Sequence, residues 1–263
     1  MTIGIRDLLG EADAFLVDQF GTLHDGIRPY PGALEALRLL QEAGKPVALL
    51  SNSGKRAAPN QARLARLGFP PDSYAAFISS GEVAWQRLAR QGGGGACLLF
   101  SRGDDAAFLD RLPWRATHRA EEADLVLITG SEADRRGLAG YEAALHKAAS
   151  RGVPCLCTNP DRTMLVEGGT APGAGRIAEL YAALGGEVTW VGKPYPPIYR
   201  AALAALGIAG GTRVMGVGDS IEHDVAGAHG AGCRAALVLM GIAAGMDPAA
   251  IAAEAGRWDA TPD

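Results

Sequence analysis

Short, unbroken apolar runs alternate along the chain with stretches whose apolar residues recur every three or four positions. The first run, Ala14-Phe15-Leu16-Val17, stops at Asp18, and the second, Val47-Ala48-Leu49-Leu50, stops at Ser51-Asn52. Between them, residues 32–43 carry Leu34, Leu37 and Leu40 at helical spacing and give way to Gly44, a residue type that ends helices in a left-handed turn. A second helix is predicted over 59–67, ahead of Gly68. Runs of four apolar residues without alternation suit strands covered on both faces. The strand–helix–strand rhythm therefore predicts a parallel sheet with helices packed on it.

The rhythm breaks at Ser79-Ser80-Gly81, and the helix that follows runs into the four glycines 92–95. A second α/β set begins there, with strands over 97–100, 124–129 and 153–157 and helices around 141–150 and 173–184. The run 187–191 leads into Gly192-Lys193-Pro194. A helix over 198–206, a strand over 213–217 ending at Gly218-Asp219, a strand over 235–240 and a short helix over 248–255 close the chain. The pattern predicts an α/β protein with a Rossmann-like parallel-sheet core formed by residues 1–80 and 191–263. Residues 81–190 are expected to form an inserted, smaller α/β domain.

Four of the core runs end in a chemically capable residue: Asp18, Ser51-Asn52, Lys193 and Asp219, with Asp224 one turn later. Open parallel sheets bind ligands at the carboxyl ends of their strands, so these residues are expected at one edge. Gathered carboxylates repel one another and are costly to bury without a cation. Mg²⁺ suits them, because it takes oxygen ligands and joins one or two carboxylates to a substrate phosphate. Ser51 offers a hydroxyl to a phosphate oxygen, and Lys193 offers positive charge to the transferring group. Asp18, ionised at neutral pH, can attack phosphorus and form an aspartyl-phosphate that water then splits.

These motifs resemble the haloacid-dehalogenase-like (HAD) hydrolase superfamily, and within it the IIA branch of NagD-type phosphatases. The resemblance rests on Asp18-Gln19-Phe20-Gly21-Thr22-Leu23, Ser51-Asn52-Ser53, Gly192-Lys193-Pro194 and the Gly218-Asp219 to Asp224 turn, in that order. It extends to His24-Asp25-Gly26 with Pro31-Gly32-Ala33, and to Asn159-Pro160-Asp161 in the middle segment. One such motif is weak, whereas four in order at strand ends are specific. The resemblance implies Asp18 as nucleophile, and Mg²⁺ held by Asp18, the Phe20 carbonyl, Asp219 and Asp224. It implies phosphate binding by Ser51, Asn52 and Lys193, and substrate binding by Asn159 and Asp161 in a mobile C2-type cap (residues 81–190) that excludes water. A small phosphorylated metabolite, such as a sugar phosphate or nucleotide, is the expected substrate, and a homodimer the expected assembly.

The chain departs from the family at Phe20, where the phosphatases usually place a second Asp that protonates the leaving group and activates water. The metal role survives through the backbone carbonyl. The acid–base role does not, and such catalysis is typically worth ~10²–10⁴-fold. His24 or Asp25, close by in sequence, could take over the proton transfers, or the substrate could supply its own proton. Phosphonate cleavage would need a Schiff-base lysine in the middle segment, where Lys147 is the only lysine. Carbon–halogen cleavage would leave Asp219 and Asp224 without a purpose. A catalytically impaired scaffold that binds phosphate ligands or a partner is the alternative that Phe20 supports. Retention of Asp18, Lys193, Asp219 and Asp224 argues for the enzyme.

Composition narrows the remaining possibilities. With 25 Lys+Arg against 29 Asp+Glu and a net charge of -4, the chain lacks the basic surface of a nucleic-acid or membrane-surface binder. Its start, MTIGIRDLLGEADAF, meets charge before any long apolar stretch, and no run reaches the ~18 residues of a membrane span. The four cysteines form no CxxC pair. Cys155 and Cys157 share a strand face, which suits two buried thiols better than a metal pair, and the chain is expected in the reducing cytoplasm. Asp219 alone would also serve as the N-cap of a helix starting at Ile221, and His223 reads better as a turn residue than as a ligand. No GxGxxG follows the first strand, which excludes a dinucleotide fingerprint.

Overall fold

The structure is a computed structural model that describes residues 4–103 and 106–263; Met1, Thr2 and Ile3, where the segment read for a leader begins, lie outside the described residues. Twelve strands occur among these residues. They are β1 (Ala14–Asp18), β2 (Val47–Ser51), β3 (Ala76–Ser79), β4 (Gly95–Phe100), β5 (Trp114–Thr117) and β6 (Leu125–Ile128). They continue with β7 (Cys155–Cys157), β8 (Thr163–Val166), β9 (Gly169–Pro172), β10 (Val188–Trp190), β11 (Val214–Gly218) and β12 (Arg234–Leu237). The chain divides into two compact units. One comprises the described residues up to Ser51 with Ala57–Ile78 and Lys193–Asp263; the other comprises Asn52–Arg56 and the described residues of Ser79–Gly192.

The first unit is built on a five-stranded sheet in the order β12-β11-β1-β2-β3. β1 pairs in parallel with β11 on one side and with β2 on the other, and β12 pairs in parallel with β11. Period-two alternation distributes its strands between two cores. Phe15, Val17, Val47, Leu49, Met215 and Val217 enter one. Ala14, Leu16, Ala48, Leu50, Val214 and Ala235 enter the other. Both faces are covered, so β1 and β2 are buried throughout, and this is why their sequences read as continuous apolar runs. The helix Ala33–Glu42 buries Ala33, Leu37 and Leu40, one face at the spacing of a helical stripe. It ends where Gly44 takes a φ of +66°. The strand order reverses at β1, with β2 and β3 to one side and β11 and β12 to the other. The carboxyl ends of β1 and β11 thus form a topological switch point, the usual position of a ligand crevice in such sheets.

The second unit has its own parallel sheet, β10-β7-β6-β4-β5. Helices Ala139–Ser150 and Ala174–Ala183 pack on it through Tyr141, Leu145, Ile177 and Tyr181. An antiparallel hairpin, β8–β9, completes it. Lys147 lies exposed on the first of these helices.

Three features correct the expectations from sequence. The run 187–191 yields β10, which pairs with β7 in the second sheet and adds no strand to the first. Short apolar runs cannot say which sheet they join, because both sheets demand the same residue types. The hairpin β8–β9 was not expected at all, since it is exposed or half-buried on both faces and carries no alternation to detect. The helix after Asp219 is capped by Ser220, whose hydroxyl accepts from the His223 N–H, and not by Asp219. It opens as a wide π-type turn, Ile221–Ala226, a form often found at functional sites. The four cysteines are buried and unbridged, and burial pushes the Cys97 and Cys157 thiols up to about 12. No helix among the described residues is long and apolar enough to cross a membrane.

Candidate active site

Asp18 is the last residue of β1, Asp219 follows the end of β11, and Asp224 sits in the π-type turn behind it. Their carboxylates are buried, and one oxygen from each lies within 4.8 Å of the others. Lys193, only 4% exposed, reaches into this cluster. Its Nζ donates to Asp18 Oδ1 and to Asp224 Oδ1, each at 2.6 Å. The other Asp18 oxygen accepts from Thr22 Oγ1 at 3.2 Å. Asp224 Oδ2 accepts from the Ser220 N–H at 3.1 Å, and Asp219 Oδ2 accepts from the Ile242 N–H at 2.6 Å.

Glycine creates the room. Gly21, at a φ of +91°, lies so close to Asp219 that a Cβ there would sit 2.2 Å from its Oδ2. Gly241, at a φ of +50°, would place a Cβ 2.0 Å from the same oxygen and 2.6 Å from the Gly21 backbone. The two glycines therefore touch, and together they cradle the Asp219 carboxylate. Gly241→Ala is expected to displace that carboxylate in addition to straining the left-handed backbone, lowering stability by about 1–3 kcal/mol. Gly245→Ala is the control, because its φ of +76° imposes similar strain with nothing within 4 Å of the new Cβ. Titration calorimetry with Mg²⁺ should show weakened cation binding in the first variant alone.

Three carboxylates face one ammonium, and the electrostatics reflect the excess. Burial pushes the Asp18 carboxyl up to about 7, against the pull of Lys193 and with help from Asp224 and Asp219. Burial also raises Asp219, opposed by the bond from the Ile242 N–H. Lys193 is held well above its ordinary value because the pull of Asp18 and Asp224 outweighs its own desolvation. Uncompensated buried charge costs several kcal/mol per ion, and a set of hard oxygen donors in that state fits a divalent cation such as Mg²⁺.

The other expected site residues fall in several places. Ser51 ends β2, buried, in the first unit. Asn52 and the Asn159–Asp161 turn meet in the second unit, where Asn52 Nδ2 donates to Asp161 Oδ1 at 2.7 Å. Asn159 Oδ1 accepts from the Asp161 N–H at 3.0 Å and shapes that turn. His24 is fully buried; its Nδ1 accepts from the Gly26 N–H at 2.9 Å and its ring packs edge-on to Phe20 and against Phe69. Burial and nearby Arg63 drop its pKa to about 4, leaving the imidazole neutral. Asp25 accepts from the Ile27 and Arg28 N–H groups and is held below the usual carboxylate range by those bonds. Both residues thus build the turn, His24 from inside it and Asp25 by bonds to its own backbone. Thr22, Ser220 and the Gly241-Ile242 pair were not singled out from sequence. Thr22, inside the first motif, and Ser220, inside the Gly218 to Asp224 turn, left a signal, whereas the Gly241-Ile242 pair left none.

Residues 15–115 match the haloacid dehalogenase-like hydrolase family, and residues 190–259 match the HAD-hydrolase-like family. The chain is 30% identical to chronophin of Rattus norvegicus over 275 residues, covering 98% of this chain and 86% of that protein. The p-nitrophenyl phosphatase from Archaeoglobus fulgidus superposes with a TM-score of 0.78 at 27% identity, over 96% of this chain and 95% of that one. Glycerol phosphate phosphatase from Mycobacterium tuberculosis, solved in complex with magnesium, superposes with a TM-score of 0.73 at 26% identity. That match covers 100% of this chain and 75% of the other. The chain belongs to the haloacid dehalogenase-like hydrolases, with the parallel-sheet core and inserted α/β domain of that superfamily.

Proposed function

We propose that the protein is a divalent-cation-dependent phosphatase of small phosphate monoesters, with Asp18 as the nucleophile. The observation that carries this is the buried cluster of Asp18, Asp219 and Asp224 around Lys193, set at the switch point of a parallel sheet. Support also comes from relatives that are phosphatases, one of them solved with magnesium.

Asp18, Asp219, Asp224 and the Phe20 carbonyl would hold Mg²⁺, which supplies charge neutralisation for the transferring phosphoryl group. Lys193 holds Asp18 with one carboxylate oxygen fixed, and its positive charge remains to stabilise the phosphoryl group as charge builds on it. Thr22 fixes the second Asp18 oxygen and so limits rotation of the nucleophile. Ser51, at the end of the neighbouring strand, supplies a hydroxyl to the phosphate. Asn52, next to Ser51, is proposed to bind the phosphate as well, and Asn159 and Asp161 to select the substrate from the inserted domain, residues 81–190, acting as a cap on the core formed by 1–80 and 191–263. The buried thiols suit a reducing, cytoplasmic setting.

Phosphate release from 4-nitrophenyl phosphate should require Mg²⁺ and cease in EDTA. Protons and the cation compete for Asp18, whose carboxyl sits at about 7 without metal. The Mg²⁺ concentration for half-activation is therefore expected to rise as pH falls below 7, approaching about tenfold per pH unit for one displaced proton. Turnover that persists in EDTA would refute the proposal. Tight Mg²⁺ binding without turnover would favour the impaired scaffold that Phe20 suggested.

A further inference from the structure

Of the two candidate proton donors near Asp18, His24 is buried and Asp25 is bonded within its own turn, whereas two apolar residues next to the Gly21 and Gly241 cradle are exposed. Phe20, two residues after Asp18, leaves 44% of its surface exposed, and Ile242, whose N–H binds Asp219, leaves 68% exposed. The closeness of Gly21 and Gly241 brings the Phe20-Gly21 and Gly241-Ile242 segments together beside the Asp219 carboxylate, and both flanking side chains are exposed there. The Phe20 ring has a built seat. The His24 ring meets it at a centroid distance of 5.9 Å and 84°. Gly26 leaves the space its ring occupies, since a Cβ there would come 3.1 Å from Phe20 Cε2. His24 is wholly buried behind that ring, and Asp25 is tied into its own turn.

Building on the phosphatase proposal, we infer that Phe20 and Ile242 determine specificity, selecting phosphate monoesters of acidic, aromatic or enolic alcohols over polyol phosphates. In the first step an Asp18 oxygen bonds to phosphorus while the bond from phosphorus to the ester oxygen breaks. The leaving group departs with the electron pair as an aryloxide or enolate and needs no proton from the protein. Water then splits the aspartyl-phosphate, restoring the Asp18 carboxylate and releasing dihydrogen phosphate. Alcohols of high pKa leave poorly in this way, which discriminates against glycerol phosphate. The exposed Phe20 and Ile242 side chains receive the ring of an aryl leaving group.

The test compares kcat/KM for ring-substituted phenyl phosphates, acetyl phosphate and glycerol phosphate, each with Mg²⁺. In the wild type, kcat/KM should fall steeply as the phenol becomes less acidic and be lowest for glycerol phosphate. Ile242→Ser retains the N–H on Asp219 and should lower the ratio of 4-nitrophenyl to acetyl phosphate turnover about three- to tenfold, the scale of one lost aromatic contact. Phe20→Ser should do the same. Phe20→Asp should flatten the dependence on phenol acidity and raise glycerol phosphate turnover by ~10²-fold or more, as a restored general acid would. A flat wild-type series, or substrate ratios unchanged in both serine variants, would overturn this specificity and leave the phosphatase proposal standing. No release from any of the three substrates would overturn both.

Discussion

Asp18→Asn is expected to lower kcat by about 10⁴-fold or more, the scale seen when a covalent nucleophile is removed, and to leave the protein folded. Asparagine keeps the shape of the buried side chain. Its amide oxygen can accept from Lys193, and its NH₂ group can face the Thr22 hydroxyl, which also acts as an acceptor. The amide cannot be made into an attacking oxyanion. Stability should not suffer, because the native fold disfavours ionised Asp18, whose carboxyl burial has raised to about 7. The sign follows directly. A carboxyl raised on folding destabilises the native state at pH values above its unfolded pKa, and a neutral amide removes that cost. The variant should therefore match or exceed the wild type in urea unfolding at pH 8 and release no phosphate in the same buffer. Activity near the wild-type level would exclude Asp18 as nucleophile. Loss of activity together with loss of fold would be settled by Asp18→Ser, which is smaller and uncharged.

What the sequence reveals depends on how each feature is encoded. Asp18, Ser51 and Asp219 are legible because each terminates a run buried on both faces, and a polar residue is conspicuous there. Lys193 reaches the carboxylates by a route that its sequence context does not reveal. The run before it belongs to the second sheet, and Lys193 enters the cluster from the segment just beyond that strand. β3 and β5 are only four residues each and half-buried in part, too short for a period to register. Gly241 and Ile242 leave no trace, since the Asp219 cradle forms by a contact between segments 220 residues apart in number, Gly21 and Gly241. His24 shows the opposite failure. Its nearness in sequence to Asp18 suggests a proton donor, but tight turn geometry rotates its ring into the core, where Phe69 and Phe20 enclose it. Sequence reports which residue types are available near a strand end, whereas three-dimensional turns decide which of them face the chemistry.

Lys193→Met should be the most destabilising of the site variants, and its penalty should depend on pH and on the cation. Lys193 is buried, and its ammonium is bonded to two of the three carboxylates in the cluster. Removing one partner of a buried ion pair typically costs about 3–5 kcal/mol, because the remaining charge is left uncompensated. Methionine fills much of the aliphatic volume, so lost packing is a minor part of that penalty. Lys193 pulls the Asp18 carboxyl down from where burial and its acidic neighbours would set it, so the variant should hold Asp18 protonated to a higher pH than about 7. Below that pH a proton substitutes for the missing ammonium and the stability gap narrows. Above about pH 7 the wild-type carboxyl ionises while the variant's stays protonated, so the gap widens by about 1.4 kcal/mol per pH unit until the variant's carboxyl ionises too. Mg²⁺ binding to the three carboxylates should recover part of the loss, since it supplies the charge that lysine provided. Urea unfolding in EDTA at pH 5.5 and pH 8, repeated with Mg²⁺ at pH 8, separates these effects. A penalty equal at both pH values and unaffected by Mg²⁺ would show that Lys193 contributes through packing and not as the counter-ion of the carboxylates. Phosphate release should fall as well, by ~10²–10³-fold even in Mg²⁺, because no cation bound to the carboxylates replaces the positive group aimed at the transferring phosphoryl oxygens.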